Sequence, residues 1–157
     1  MPSLLNNHIY TIKNELVVAT EKGIYVFNKQ KDLFESSPFY SKLLGGQSIR
    51  YLKEDGNGNI WFIHEKTLGV IDFSKKEPVV IYLPELNNKM LSGFEFIYPA
   101  NENNIFLGGE KGFYHINYEK YKQTLPRLSV QIRTLSIINK TDSLLFGGYY
   151  NNDKQIQ

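Results

Sequence analysis

The chain of 157 residues is long enough for one domain and short for two, and 41% hydrophobic with 22% charged residues predicts a folded core rather than disorder. Lys+Arg 18 against Asp+Glu 16 leaves a net charge of +2, which argues against nucleic acid or an anionic membrane as partner. With no cysteine there is no disulfide framework, thiol nucleophile or thiolate metal site; no apolar run reaches the roughly 20 residues of a membrane span, and no basic-then-apolar opening reads as a signal peptide.

From the N-terminus, Asn7 to Lys13 reads as a strand, and Asn14 to Asn28 as a hairpin about the turn Glu21-Lys22-Gly23. Leu33-Phe34 suggests a weaker fourth strand. The pattern then recurs. Ser48 to Lys53 leads through Asp55-Gly56-Asn57-Gly58-Asn59 to Ile60-Trp61-Phe62-Ile63-His64 and Leu68 to Phe73, with Val79 to Leu83 as the fourth strand. A third copy runs from Gly93 to Tyr98, through Asn101-Glu102-Asn103-Asn104, to Ile105-Phe106-Leu107-Gly108-Gly109 and Gly112 to Asn117. Leu16, Ile60 and Ile105 lie 44 and 45 residues apart, and Gly23, Gly69 and Gly112, taken as the turn glycines, lie 46 and 43 apart. Four antiparallel strands in about 40–45 residues is the period of a β-propeller blade. Helix is expected only as a single turn at Tyr118-Glu119-Lys120-Tyr121. In the middle copy Ile60, Phe62, Val70 and Phe73 are expected to make the apolar contacts with neighbouring blades.

After Pro126 the pattern changes. Leu128, Val130 and Ile132 alternate with Ser129, Gln131 and Arg133 in a strand from Arg127 to Ile138. Asn139-Lys140-Thr141-Asp142 reads as a turn and Ser143 to Gly148 as its partner strand, with Asn151 to Gln155 polar and loose. The expected fold is therefore all-β: residues 1–125 form about three four-stranded β-propeller blades of an incomplete propeller, and 126–157 form a C-terminal β-hairpin that opens a following β-sandwich domain. Propellers close with roughly 4–8 blades, so three imply a piece of a longer protein or self-association through open faces; a homo-oligomer, most simply a dimer, is expected.

Asp55-Gly56-Asn57-Gly58-Asn59-Ile60-Trp61-Phe62, followed by Leu68-Gly69-Val70-Ile71-Asp72, resembles the two-component-regulator propeller repeat. Val17 and Phe106 stand where the repeat's Trp would be in the first and third copies, and Ile63-His64 replaces its usual Gly-Thr. Val130 to Tyr150, with Asp142-Ser143-Leu144-Leu145-Phe146-Gly147-Gly148-Tyr149, resembles the opening of the triple-tyrosine domain that follows such propellers. The resemblance implies the periplasmic, ligand-sensing part of a membrane-spanning regulator, with an oligosaccharide or other small molecule as ligand and dimers as the assembly. The cytoplasmic output would be a hybrid histidine kinase or a helix-turn-helix module. A glycan-active lyase or hydrolase fragment and a protein-interaction scaffold are the alternatives.

No catalytic, cofactor or metal residues are expected, and the ligand-binding loops are not identified by the sequence. The Asp55 loop begins like a calcium loop, but Ile60 and Lys66 stand where that loop needs Gly and Glu. His8, His64 and His115 fall in strands of different copies, so a metal site is not expected. Gly108-Gly109-Glu110-Lys111-Gly112 lacks the spacing and following helix of a phosphate loop and reads as a strand connection. Trp61, Phe62, Phe106 and Phe113 could stack on a sugar, but within hairpin repeats the core role is expected, above all for Trp61.

Overall fold

The computed structural model describes Ser3, residues 6–125 and, by backbone, strands 134–137 and 143–147. The protein is all-β with blade-like antiparallel sheets. The first sheet takes β1 (His8–Ile12), β2 (Glu15–Thr20), β3 (Gly23–Asn28) and β4 (Leu33–Ser36) in sequence order. Helix α1 (Pro38–Leu44) leads to the second sheet: β5 (Ile49–Glu54), β6 (Ile60–His64), β7 (Thr67–Asp72) and β8 (Val79–Tyr82). A 3-10 turn at Pro84–Leu86 precedes the third sheet, made of β9 (Ile97–Asn101), β10 (Asn104–Gly109) and β11 (Gly112–Ile116), and helix α2 (Tyr118–Thr124) follows. The chain divides into a unit of Met1–Gln123 and a unit of Thr124–Gln157. In the second unit, β12 (Thr134–Ile137) pairs antiparallel with β13 (Ser143–Gly147), Leu135 opposite Phe146. The expected strand at 127–133, the turn at 139–142, Gly148 to Tyr150 and the polar tail at 151–155 lie outside the described residues. Among the described residues, no helix is long and apolar enough to cross a membrane.

The central hairpins all turn on Glu-Lys: Thr20 pairs with Gly23, His64 with Thr67 and Gly109 with Gly112, leaving Glu21-Lys22, Glu65-Lys66 and Glu110-Lys111 as two-residue loops. In the outer two, the glycine after the turn takes the positive φ (Gly23 at 107°, Gly112 at 133°) that closes such loops with a bulge. In the middle copy Thr67 stands there, and Glu65 carries the positive φ of 52° instead. Gly69 is therefore not a turn glycine. It lies within β7 opposite Phe62, and a Cβ there would come within 2.9 Å of three carbons of the Phe62 ring.

The inner strands meet one another: β5 lies against β1 and β2 on one side and β9 on the other. Alternation along the strands then directs one face of each sheet to the preceding sheet and one to the following sheet. Ile60, Phe62 and Ile71 pack backward against Ile12, Val17 and Ala19 of the first sheet, with Tyr40 and Leu44 of α1 in the same core. Trp61, Ile63, Leu68 and Val70 pack forward against Ile97, Ile105 and Leu107 of the third, with Tyr118 of α2. Val70 thus faces away from Ile60, Phe62 and Phe73, so the four residues named from the sequence divide between the two neighbouring sheets. The third copy's inner strand begins at Ile97 rather than near Gly93. Both helices have seven residues; α1, not anticipated, starts with Ser37 as N-cap and Pro38 in the first turn, where a missing N–H costs nothing.

Candidate functional site

The turns joining the first and second strands of the first three sheets lie along one rim. The first, Lys13-Asn14, has φ of 51° and 61°, the paired positive values of a tight hairpin turn. The second is built around Asp55. Its Oδ1 accepts the backbone N–H groups of Asn57 and Asn59, both at 2.9 Å, and its Oδ2 accepts Asn59 Nδ2 and Trp61 Nε1, both at 3.0 Å. Asn59 Oδ1 in turn accepts the Phe73 N–H at 2.9 Å. This gives the Asp-x-x-Gly-Asn-Ile-Trp motif a physical meaning: the carboxylate shapes the loop and satisfies an indole N–H that is wholly buried. With four bonds accepted, Asp55 serves the loop rather than an ion. In the third turn, Asn101 Oδ1 accepts Asn103 N–H at 3.1 Å and Asn104 Nδ2 at 2.9 Å.

Side chains cross between these turns. Lys13 N–H donates to Glu54 Oε2 at 2.6 Å, and Asn57 Nδ2 donates to Glu102 Oε2 at 2.7 Å. A cleft of about 430 Å³ lies between the second and third turns, lined by Asp55, Gly56, Asn57 and Ala100 to Asn104. Its wall combines amide donors and acceptors with two carboxylates, Asp55 and Glu102, the groups that pair with sugar hydroxyls. The Asn57–Glu102 contact unites positions 45 residues apart in sequence. The visible signal for it was the recurrence of Asn-rich turns at the same place in successive copies.

A second polar cluster is buried. Asp72, at the end of β7 and 1% exposed, accepts the Tyr118 hydroxyl at 2.5 Å, and Lys122 Nζ stands 3.7 Å from the same carboxylate. Lys122 also pairs with Glu119 at 2.5 Å. Burial pushes the Asp72 carboxyl up, but hydrogen bonds from Ser74 and Tyr118 and the Lys122 charge outweigh it and hold the carboxyl below its ordinary range. Burial, then the bond to Asp72, raise the Tyr118 phenol. The cluster ties α2 to the second sheet, and the Tyr118 ring meets Trp61 edge-on at 5.1 Å.

The histidines stay apart in the first three sheets. His8 is exposed on β1, His64 Nδ1 lies 3.0 Å from Ser48 O, and His115 Nε2 lies 2.9 Å from Asn104 Oδ1. Among the described residues, no three His, Asp or Glu side chains converge as metal ligands. Trp61 and Phe62 are core residues at 0% exposure, whereas Phe113 is 70% exposed, against the expectation of a core role. Family models, curated proteins and solved structures yield no match to this chain.

Proposed function

We propose that this chain is the ligand-sensing, extracytoplasmic part of a membrane-spanning transcriptional regulator, with the rim cleft at Asn57 and Glu102 as its ligand site. The observation that carries the reading is that cleft: two loops from adjacent blade-like sheets, pre-shaped by their own hydrogen bonds, present amide and carboxylate groups to one space. Such a wall suits a polyhydroxylated ligand of oligosaccharide class, and pre-shaped loops lower the ordering cost of binding. The resemblance of the Asp55 to Asp72 segment to the two-component-regulator propeller repeat supports the sensory role, the periplasmic placement and a histidine-kinase or helix-turn-helix output. Calorimetric titration of the full chain with a panel of neutral and acidic oligosaccharides tests the site. At least one member should bind, and Asn57→Ala or Glu102→Ala should weaken it about tenfold or more, as expected for loss of a hydrogen bond to a charged group. Binding indifferent to both substitutions, or no binding across the panel, would overturn the assignment. Turnover of a panel member, abolished by one substitution, would make the chain an enzyme fragment instead.

A further inference from the structure

Both walls of the rim cleft lead to one residue of α2. On the third turn, Glu102 is held from two sides. Its Oε2 accepts Asn57 Nδ2 at 2.7 Å, and its backbone carbonyl accepts the Tyr118 N–H at 3.1 Å. On the second turn, Asp55 lines the cleft and also accepts Trp61 Nε1 at 3.0 Å. The Trp61 ring in turn meets the Tyr118 ring edge-on at 5.1 Å. Tyr118 is 1% exposed, and its hydroxyl donates to Asp72 at 2.5 Å.

Helix α2 is an element that can exist in two states. Its seven residues fall well short of the roughly 12 that an isolated helix needs, so it is helical because it is docked. Its anchors are few: Tyr118, Lys122 Nζ at 3.7 Å from Asp72, and the Tyr121 hydroxyl, which donates to Tyr82 O at 3.2 Å and Glu85 Oε2 at 3.1 Å. Such a segment can release locally while the strands persist. Release would take the Tyr118 N–H from Glu102 O and the Tyr118 ring from Trp61, loosening the third turn against the second. α2 is also the stretch by which the chain passes from its first unit to its second.

We propose that α2 is the responding element of the rim cleft: the closeness of the two turns and the docking of α2 through Tyr118 form one linked equilibrium, and a ligand that bridges both turns favours the docked helix. Linkage is reciprocal, so a docked α2 strengthens ligand binding by the factor with which ligand favours docking. The inference rests on the reading of this cleft as the ligand site.

Amide hydrogen exchange of the full chain, followed by NMR, tests the linkage without ligand. Asn57→Ala, which removes the donor to Glu102, should speed exchange at the Tyr118 and Tyr121 amides about threefold or more, and Tyr118→Phe should do the same at Asn57, Asn59 and Asn103. The amides of β2, remote from both, should keep their wild-type rates in each variant. If Tyr118→Phe fails to fold, Tyr121→Phe, which loosens α2 from Tyr82 and Glu85, carries the test. A shift in one direction alone, no shift in either, or an equal acceleration at β2 would overturn the linkage. Calorimetry then uses the tightest-binding member of the neutral and acidic oligosaccharide panel. Tyr118→Phe should weaken its binding about 3- to 10-fold, although Tyr118 does not line the cleft. Binding that Asn57→Ala weakens and Tyr118→Phe leaves unchanged would keep the cleft as the ligand site and remove α2 as its responder. With no binding across the panel the site reading falls, and the exchange rates alone decide whether rim and helix are linked.

Discussion

The second and third sheets carry an aromatic residue at the same strand position, yet with different results. On the second sheet that position is Trp61, 0% exposed, covered by Ile97, Ile105 and Leu107 and met by Tyr118. On the third it is Phe106, whose neighbours Tyr98 and Phe113 are 55% and 70% exposed. The alternation of side chains along the strands is the same, so strand pattern alone sets which residues face forward. Whether they are core depends on a neighbouring sheet, and a buried aromatic and an exposed one are indistinguishable in a single repeat. The two existing junctions differ as well. The one between the first and second sheets is apolar, plugged by Tyr40 and Leu44 of α1, whereas the one between the second and third adds the charged cluster of Asp72 and Lys122.

The contrast is sharpest at Trp61. Trp61→Ala should destabilise the protein by about 3–5 kcal/mol, the range for a fully buried large aromatic, and leave Asp55 without its indole partner. Urea unfolding measures this; a loss below about 1 kcal/mol would place Trp61 in the same class as Phe113. Gly69→Ala comes next. Its methyl group would drive into the Phe62 ring, itself held by Tyr82 edge-on at 5.7 Å, at a cost of about 1–3 kcal/mol for overpacking. A neutral Gly69→Ala would show that Phe62 has room the structure denies it.

The Asp72 cluster makes the second junction sensitive to acid. Because the folded carboxyl titrates below its unfolded value, its contribution is complete above about pH 4 and is lost as pH falls through the lower folded value. Stability measured from pH 6 to pH 2 should therefore fall less steeply in Asp72→Asn, which keeps an acceptor for Tyr118 but cannot titrate. An identical slope in the two proteins would remove Asp72 from the account. The smallest effect belongs to the exposed Phe113: Phe113→Ser should change stability by less than about 0.5 kcal/mol.

Much of this arrangement was legible in the sequence. The hairpins about Glu21-Lys22 and Glu110-Lys111 follow from apolar runs on either side of a glycine that can take positive φ. Gly69 misled because it has the right spacing for a turn glycine but serves to admit Phe62, and only the strand register separates the two roles. Helix α1 was hidden by its length, since two turns show no sustained period; Ser37-Pro38 was its one local sign. The Tyr118 segment was read as a single turn, and its second turn is supported by tertiary contacts to Asp72 and Trp61 that no local pattern reveals. The rim cleft was invisible for a related reason. Asp55 to Asn59 and Asn101 to Asn104 each read as an ordinary turn, and they become one surface only when adjacent sheets bring Asn57 to Glu102.

The central claim is that the third sheet and α2 seal the forward face of the second. Trp61 is the chain's one tryptophan, so its fluorescence reports on that seal alone. In the native protein the emission should be blue-shifted and nearly immune to acrylamide quenching, and urea should red-shift it in the same transition that abolishes the β-sheet circular dichroism. A native emission already at the water-exposed position, or quenching by acrylamide as efficient before unfolding as after it, would contradict the stacking of these sheets.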